Sequence, residues 1–189
     1  MKNVLTRLIT GILYIAVIVG AVLMGGWFFW GLTMLFGILG LNEFIRISNK
    51  NFVSNTTRLL DIIGGAMFLT AMSPAPAAYV SCTSSTMLFL ILYLAYFILR
   101  FVSQLYVQDG NPLTHIAHSI MGQIYVIMPI GLLSYMYSHY GKYIILAMFI
   151  LIWLSDTGAF CVGSLMGRHK LFERISPKKS WEGFFGGLI

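Results

Sequence analysis

Asp156 stands inside the apolar run KYIILAMFILIWLSDTGAFCVGSLM, where its type does not suit its surroundings. An ionised carboxylate at membrane depth is costly unless a cation, a hydrogen-bond donor or water meets it, so it should face a bundle interior or a wet cavity and is a site candidate by default. At about 100° per residue, Asp156, Ala159, Phe160, Gly163 and Gly167 share a helical stripe. The small residues on it let neighbouring helices approach closely, which predicts an acid buried in protein. Beyond Gly167 the character changes to RHKLFERISPKKSWEG. Ser176 has the type of an N-cap and Pro177 that of a first helical residue. Lys178 and Lys179 would then occupy a first turn, where the macrodipole disfavours cations. Backbone donors and two ammonium groups belong together if they hold an anion such as a phosphate. The competing explanation is that the lysines are topology charges beside lipid headgroups.

The elements that must position these residues are membrane spans. The chain has 189 residues, of which 58% are hydrophobic and 10% charged, with a mean hydropathy of +0.84. That composition belongs to a polytopic membrane protein and not to a soluble domain. The formal charge of +6 does not indicate nucleic acid, because the basic residues lie between apolar runs and not along one patch. Cys82 and Cys161 do not make a disulfide framework.

The hydropathy pattern predicts an all-α transmembrane bundle with about six complete spans and the start of a seventh. An uncleaved first span covers residues 8 to 24, Gly25 and Gly26 supply a turn, and Trp27 to Leu41 is the second span. Residues 42 to 58 are polar and predict a short cytoplasmic, interfacial helix in which Glu43 pairs with Arg46. A third span starts at Leu59 and borrows residues from Ser73 to Val80. The fourth runs from Met87 to Val107, the fifth from Ile116 to Met136, and the sixth from Tyr143 to Met166. Gly183 to Ile189 opens the seventh. Asp61 is read as an interfacial partner of Arg58, and Arg100 and Gln104 as snorkelling outward or else lining the cavity of Asp156. His115 and His118 have i, i+3 spacing without a third ligand, which favours a structural role over a metal site.

Eleven basic residues fall on one side of this arrangement and only Lys142 on the other. The bias places the N-terminus and the 167–182 segment in the cytoplasm of a cell-membrane protein. The whole of 1–189 is read as one membrane domain, and its glycine spacing allows helix contact within one subunit or in a homodimer.

The blocks DTGAF, GSLMGRHKL and ISPKKSWEGFFGG, within a stretch of about 32 residues, resemble the motifs of bacterial phosphatidate cytidylyltransferases, the CDP-diacylglycerol synthases. The resemblance implies transfer of CMP from CTP to phosphatidic acid, giving CDP-diacylglycerol and pyrophosphate. It implies that Asp156 helps hold Mg²⁺, that Lys178, Lys179 and Ser176 hold phosphates, and that Arg168, His169 and Lys170 steer CTP or touch lipid phosphate. Glu182 is read either as a partner of the lysines or as a first-turn acid that offsets their clash with the dipole. The family continues into a second signature with Lys-Asp and Asp-Arg-x-Asp clusters, which has no counterpart here. The resemblance therefore covers the family's N-terminal portion, and the chain is expected to be a fragment with further metal ligands elsewhere. A transporter or channel, or a related CTP-dependent lipid or polyprenol kinase, is the alternative.

Overall fold

In the computed structural model, residues 2–48, 55–73, 82–107 and 111–188 are described. They are predominantly helical and fall into two compact units, Met1–Lys142 and Tyr143–Ile189.

In the first unit the helices are α1 (Lys2–Met24), α2 (Gly26–Ser48), α3 (Asn55–Met72), α4 (Cys82–Gln104), α5 (Pro112–Gly122) and α6 (Met128–Tyr140). Gly25 and Gly26 have φ of +66° and +51°, a region open to glycine at little cost, and so make the expected turn between α1 and α2. Asn111 caps α5 through its side chain, which accepts from the Leu113 N–H at 3.0 Å, and Pro112 supplies the pre-set φ of the first turn. A π-helical segment, Gln123–Ile127, joins α5 to α6 without a break, so Pro112–Tyr140 is one long helix.

The core of this unit lies between α2, α3 and the π segment, where Met34, Leu41, Ile45, Leu69 and Ile127 pack together. Close approach there depends on glycines. A Cβ at Gly65 would meet Ile127 at 2.8 Å, and one at Gly122 would meet Leu41 at 2.8 Å. Such contacts are the usual basis of helix packing in lipid, where apolar surface gains little by leaving the solvent.

Four helical stretches among the described residues are long and apolar enough to cross a membrane: Gly26–Ser48, Thr86–Gln104, Pro112–Tyr140 and Lys142–Met166. Ile9–Met24 is a shorter apolar helix. The polar 42–58 segment differs from expectation. Its first part continues α2 as far as Ser48 and its last part opens α3, while 49–54 lie outside the described residues, as does most of the Ser73–Val80 stretch. Glu43 and Arg46 pair as expected at 2.6 Å.

The second unit contains α7 (Lys142–Met166), the strands β1 (Lys170–Phe172) and β2 (Ser176–Ser180), and the short helix α8 (Trp181–Gly186). β1 and β2 form an antiparallel pair with Lys170 opposite Ser180 and Phe172 opposite Ser176. The segment expected as a loop over 167–182 is thus a hairpin that begins three residues after Gly167.

Candidate functional site

The hairpin corrects the expected helix start at Ser176. Ser176, Pro177, Lys178 and Lys179 lie in β2, and the helix begins at Trp181. Its N-cap is Ser180, with extended φ −122° and ψ 156°, whose hydroxyl accepts from the Gly183 N–H at 3.2 Å. Both serines have the cap type, but Ser176 is drawn into strand pairing opposite Phe172, so the cap moves four residues on. Lys178 and Lys179 therefore do not oppose a helix dipole, and Lys179 is exposed on the strand.

Glu182, in the first turn of α8, closes the corner between α7 and β1. Its carboxylate accepts from the backbone N–H of Arg168 at 3.2 Å and of His169 at 3.2 Å, and His169 Nδ1 lies 2.6 Å from Oε1. The Trp181 N–H donates to the His169 carbonyl at 2.9 Å. The His169 side chain first, and the backbone donors after it, hold the Glu182 carboxyl well below the ordinary carboxylate range, at about 2. Glu182 does lie in a first turn, but with the lysines in β2 it has no clash of theirs to offset, and its partners are His169 and two amides.

That corner opens onto a shallow depression lined by Arg168, His169, Lys170, Glu173 and Trp181. Three of these were expected at a site. Glu173 and Trp181 were missed, since neither type nor spacing marks them until the hairpin folds β1 and β2 together.

On α7, a ridge of Ser155, Gly158, Ala159, Val162 and Gly163 receives α8. A Cβ on Gly158 would overlap the Gly186 carbonyl oxygen, one on Gly183 would come within 3.0 Å of Gly163 Cα, and Gly186 lies against Val162. The Ser155 hydroxyl donates to the Gly187 carbonyl at 2.6 Å. The glycines on both helices thus do what their spacing predicts, and the contact falls between α7 and α8 within one chain. Asp156 is different. It is exposed, and no hydrogen bond or ion pair reaches it among the described residues. The expected burial is corrected because α8 covers the ridge from Gly158 round to Gly163, while Asp156 at about 100° from Ser155 flanks it. Asp156 is also about 15 Å of helix rise from the end of α7 and does not line the depression.

The first unit holds a second polar cluster. Asp61 is 3% exposed and accepts from the Tyr96 hydroxyl at 2.7 Å and the Ser119 hydroxyl at 2.7 Å. Arg100 Nε is 3.3 Å from the same carboxylate, and Arg100 also donates to Gln104 Oε1 at 3.0 Å. Gln123 donates to the Asp61 carbonyl at 2.8 Å. Asp61 is therefore not the partner of Arg58, which donates to Asn42 at 2.7 Å, and Arg100 and Gln104 do not snorkel. Burying an acid and a base in one network satisfies both where a lone charge would be costly.

Among the described residues no group of three His, Cys, Asp or Glu side chains is placed to hold a metal ion. Mg²⁺ commonly takes one or two carboxylates and fills its other positions with water and substrate phosphates. An exposed Asp156 fits as one carboxylate of such a shared site and not as a cage.

Membrane-length apolar helices together with a cation-rich hairpin at the end of one of them define a multi-pass helical membrane protein. The model of the Cytidylyltransferase family matches residues 5–189, and the chain belongs to that family. It is similar to the phosphatidate cytidylyltransferase of Staphylococcus saprophyticus, with 30% identity over 189 residues that cover 97% of this chain and 67% of the relative. The phosphatidate cytidylyltransferase of Staphylococcus aureus strain COL is 28% identical with the same coverage of both chains. That of Staphylococcus haemolyticus is 57% identical over 49 residues, which cover 26% of this chain and 19% of the relative.

Proposed function

We propose that the protein is a phosphatidate cytidylyltransferase. An oxygen of the phosphatidic acid phosphate attacks the α-phosphorus of CTP, the bond from that phosphorus to the bridging oxygen breaks, and pyrophosphate leaves with the electron pair. Two anionic partners must be brought together, so the protein contributes mainly positioning and charge neutralisation.

The observation that carries this reading is the corner at Arg168–Lys170. Glu182 uses both its oxygens to hold that backbone, which leaves the Arg168 and Lys170 side chains exposed at the depression and directed at no acid of the chain within ion-pair distance among the described residues. Exposed cations fixed on a rigid corner suit phosphate. Lys179 extends the cationic surface along β2, the strand to which Lys178 and Ser176 also belong, all three of which we assign to phosphate, and His169 orients the corner through Glu182. Asp156 would supply one carboxylate to Mg²⁺, which when bound would neutralise developing phosphate charge. Six spans with a cytoplasmic N-terminus complete the arrangement, placing the hairpin on the side where nucleotides are.

Membranes carrying the protein, given labelled CTP and phosphatidic acid, test the reading. Label should enter CDP-diacylglycerol, and Asp156→Asn should abolish this while leaving the amount of inserted protein unchanged. Undiminished transfer by that variant removes Asp156 from the reaction. Entry of γ-phosphate label, supplied in a parallel reaction, into a polyprenol phosphate, or entry of neither label into lipid, sinks the assignment.

A further inference from the structure

We propose that the depression of the hairpin reads the nucleobase, with Trp181 as the stacking surface and Glu173 as the acceptor that selects cytosine. The inference rests on CTP being the donor and assigns the base-specific part of its recognition.

Trp181 is 46% exposed, so much of the indole remains open although it closes the hairpin through its backbone. Phe184 and Phe185 lie against it, with ring centroids at 6.1 Å and 6.3 Å, the second stacked at an interplanar angle of 28°. A ring supported from one side and open on another is a platform for a flat heterocycle, since every base has a π-face. Stacking alone does not distinguish bases. Discrimination needs an edge contact, and cytosine differs from uracil by presenting an N4 amine where uracil has a carbonyl.

Glu173 supplies that contact. It lies in the turn between β1 and β2 and lines the same depression as Trp181. Arg168 and Lys170 line it too, yet Glu173 makes no ion pair or hydrogen bond with any described residue. Its counterpart on the corner, Glu182, is consumed by His169 and two amides. Of the two carboxylates at this corner, Glu182 is occupied by His169 and two amides, whereas Glu173 lines the depression and, among the described residues, has no partner, which leaves it available to a ligand. A carboxylate accepts from an amine and repels a carbonyl oxygen, so it favours cytosine over uracil. The flanking cations are left for the phosphates, and the cationic and base-reading groups sit side by side on one hairpin.

The test compares CTP with UTP, both as donors in the transfer assay and as ligands of the purified protein in detergent micelles by calorimetry. Wild type should prefer CTP in both. Glu173→Gln, whose amide can donate to the uracil carbonyl, should reduce the CTP-to-UTP preference about tenfold, the scale of one good edge contact. Trp181→Ala should weaken both nucleotides alike by raising KM with little change in kcat, and Trp181→Phe should restore most of the loss. A CTP-to-UTP ratio unchanged by Glu173→Gln overturns the selector role, and unchanged KM in Trp181→Ala overturns the platform. If calorimetry shows the preference and its loss while no lipid is labelled by wild type, the base site stands and the transferase reading falls. If transfer proceeds with an unaltered ratio, the transferase reading stands and the base site falls.

Discussion

Arg100 Nε lies 3.3 Å from Asp61 Oδ1, with both side chains 4% exposed, between helices whose surroundings are otherwise apolar. The pair is satisfied from every side. Tyr96 and Ser119 donate to the carboxylate, and Ser103, Gln104 and the His115 carbonyl accept from the guanidinium. Removing one partner leaves the other charge buried and alone, which is far worse than removing both. Asp61→Ala and Arg100→Ala should each destabilise the first unit by about 3 kcal/mol or more, and the double variant by less than the sum. Thermal unfolding in detergent micelles checks this, and additive losses would show that the two residues do not act as a pair.

Tyr96 adds a smaller test of the same cluster. Its hydroxyl donates to Asp61 at 2.7 Å, while its ring lies directly over Gly64, where a Cβ would meet the ring at 2.5 Å. Tyr96→Phe keeps the ring and removes one donor of several, so the loss should be about 1 to 2 kcal/mol. Gly64→Ala keeps the donor but displaces the ring, and should cost at least as much. A Tyr96→Phe variant as damaging as Asp61→Ala would mean that the hydroxyl's hydrogen bond, and not the ion pair with Arg100, chiefly holds the buried carboxylate.

This cluster also marks where sequence reading stopped short. Tyr96, Arg100 and Gln104 recur every four residues along α4, and His115, Ser119 and Gln123 do so along the α5 helix and its π continuation. That spacing puts polar groups on one face of each apolar helix and was a usable sign of two faces meeting. Asp61 was assigned to Arg58 because three residues separate them, but local spacing says nothing about a partner from another helix. The apolar helices, the Gly25–Gly26 turn and the glycine approach of α7 to α8 were legible, because each follows from local type and period. The hairpin was not, because Ser176-Pro177 and Ser180 offer equally good local caps and only pairing with β1 decides between them. Arg168, His169 and Lys170, named from the family resemblance, line the depression, whereas Glu173 and Trp181 joined them only once the strands were paired.

Glu182 gives the hairpin a defined response to acid. Its carboxyl is lowered from an ordinary 4.5 to about 2, so the fold favours the ionised form. The contribution of that contact is complete above the unfolded value and is lost as pH falls through the folded one. Protection of the Arg168 and His169 amides from hydrogen exchange should hold at neutral pH, weaken below about pH 4 and disappear near pH 2. Glu182→Gln should show the weakened protection at every pH and lose most transferase activity through a misplaced Arg168. Full amide protection in that variant would mean the corner is held by the strands alone.

The α7–α8 contact makes the last prediction, because the atoms in the way there cannot move aside. At Gly158 an added Cβ meets the Gly186 carbonyl oxygen, and at Gly183 it meets the Ala159 carbonyl oxygen at 2.9 Å. Both obstacles are backbone, whereas the crowding at Gly37 comes from the end of the Leu69 side chain, which can turn away. Gly31 has nothing within 4 Å. Gly158→Ala and Gly183→Ala should therefore push α8 off its ridge, break the Ser155–Gly187 hydrogen bond and destabilise the second unit by about 1 to 3 kcal/mol, the usual range for overpacking. Because α8 begins at Trp181 and carries Glu182, activity should fall with it. Gly31→Ala should be silent in both stability and activity, and Gly37→Ala should fall between. If Gly158→Ala leaves transfer and melting temperature unchanged, α8 does not need that ridge to hold the corner, and the strand pairing of Lys170 with Ser180 must be sufficient on its own.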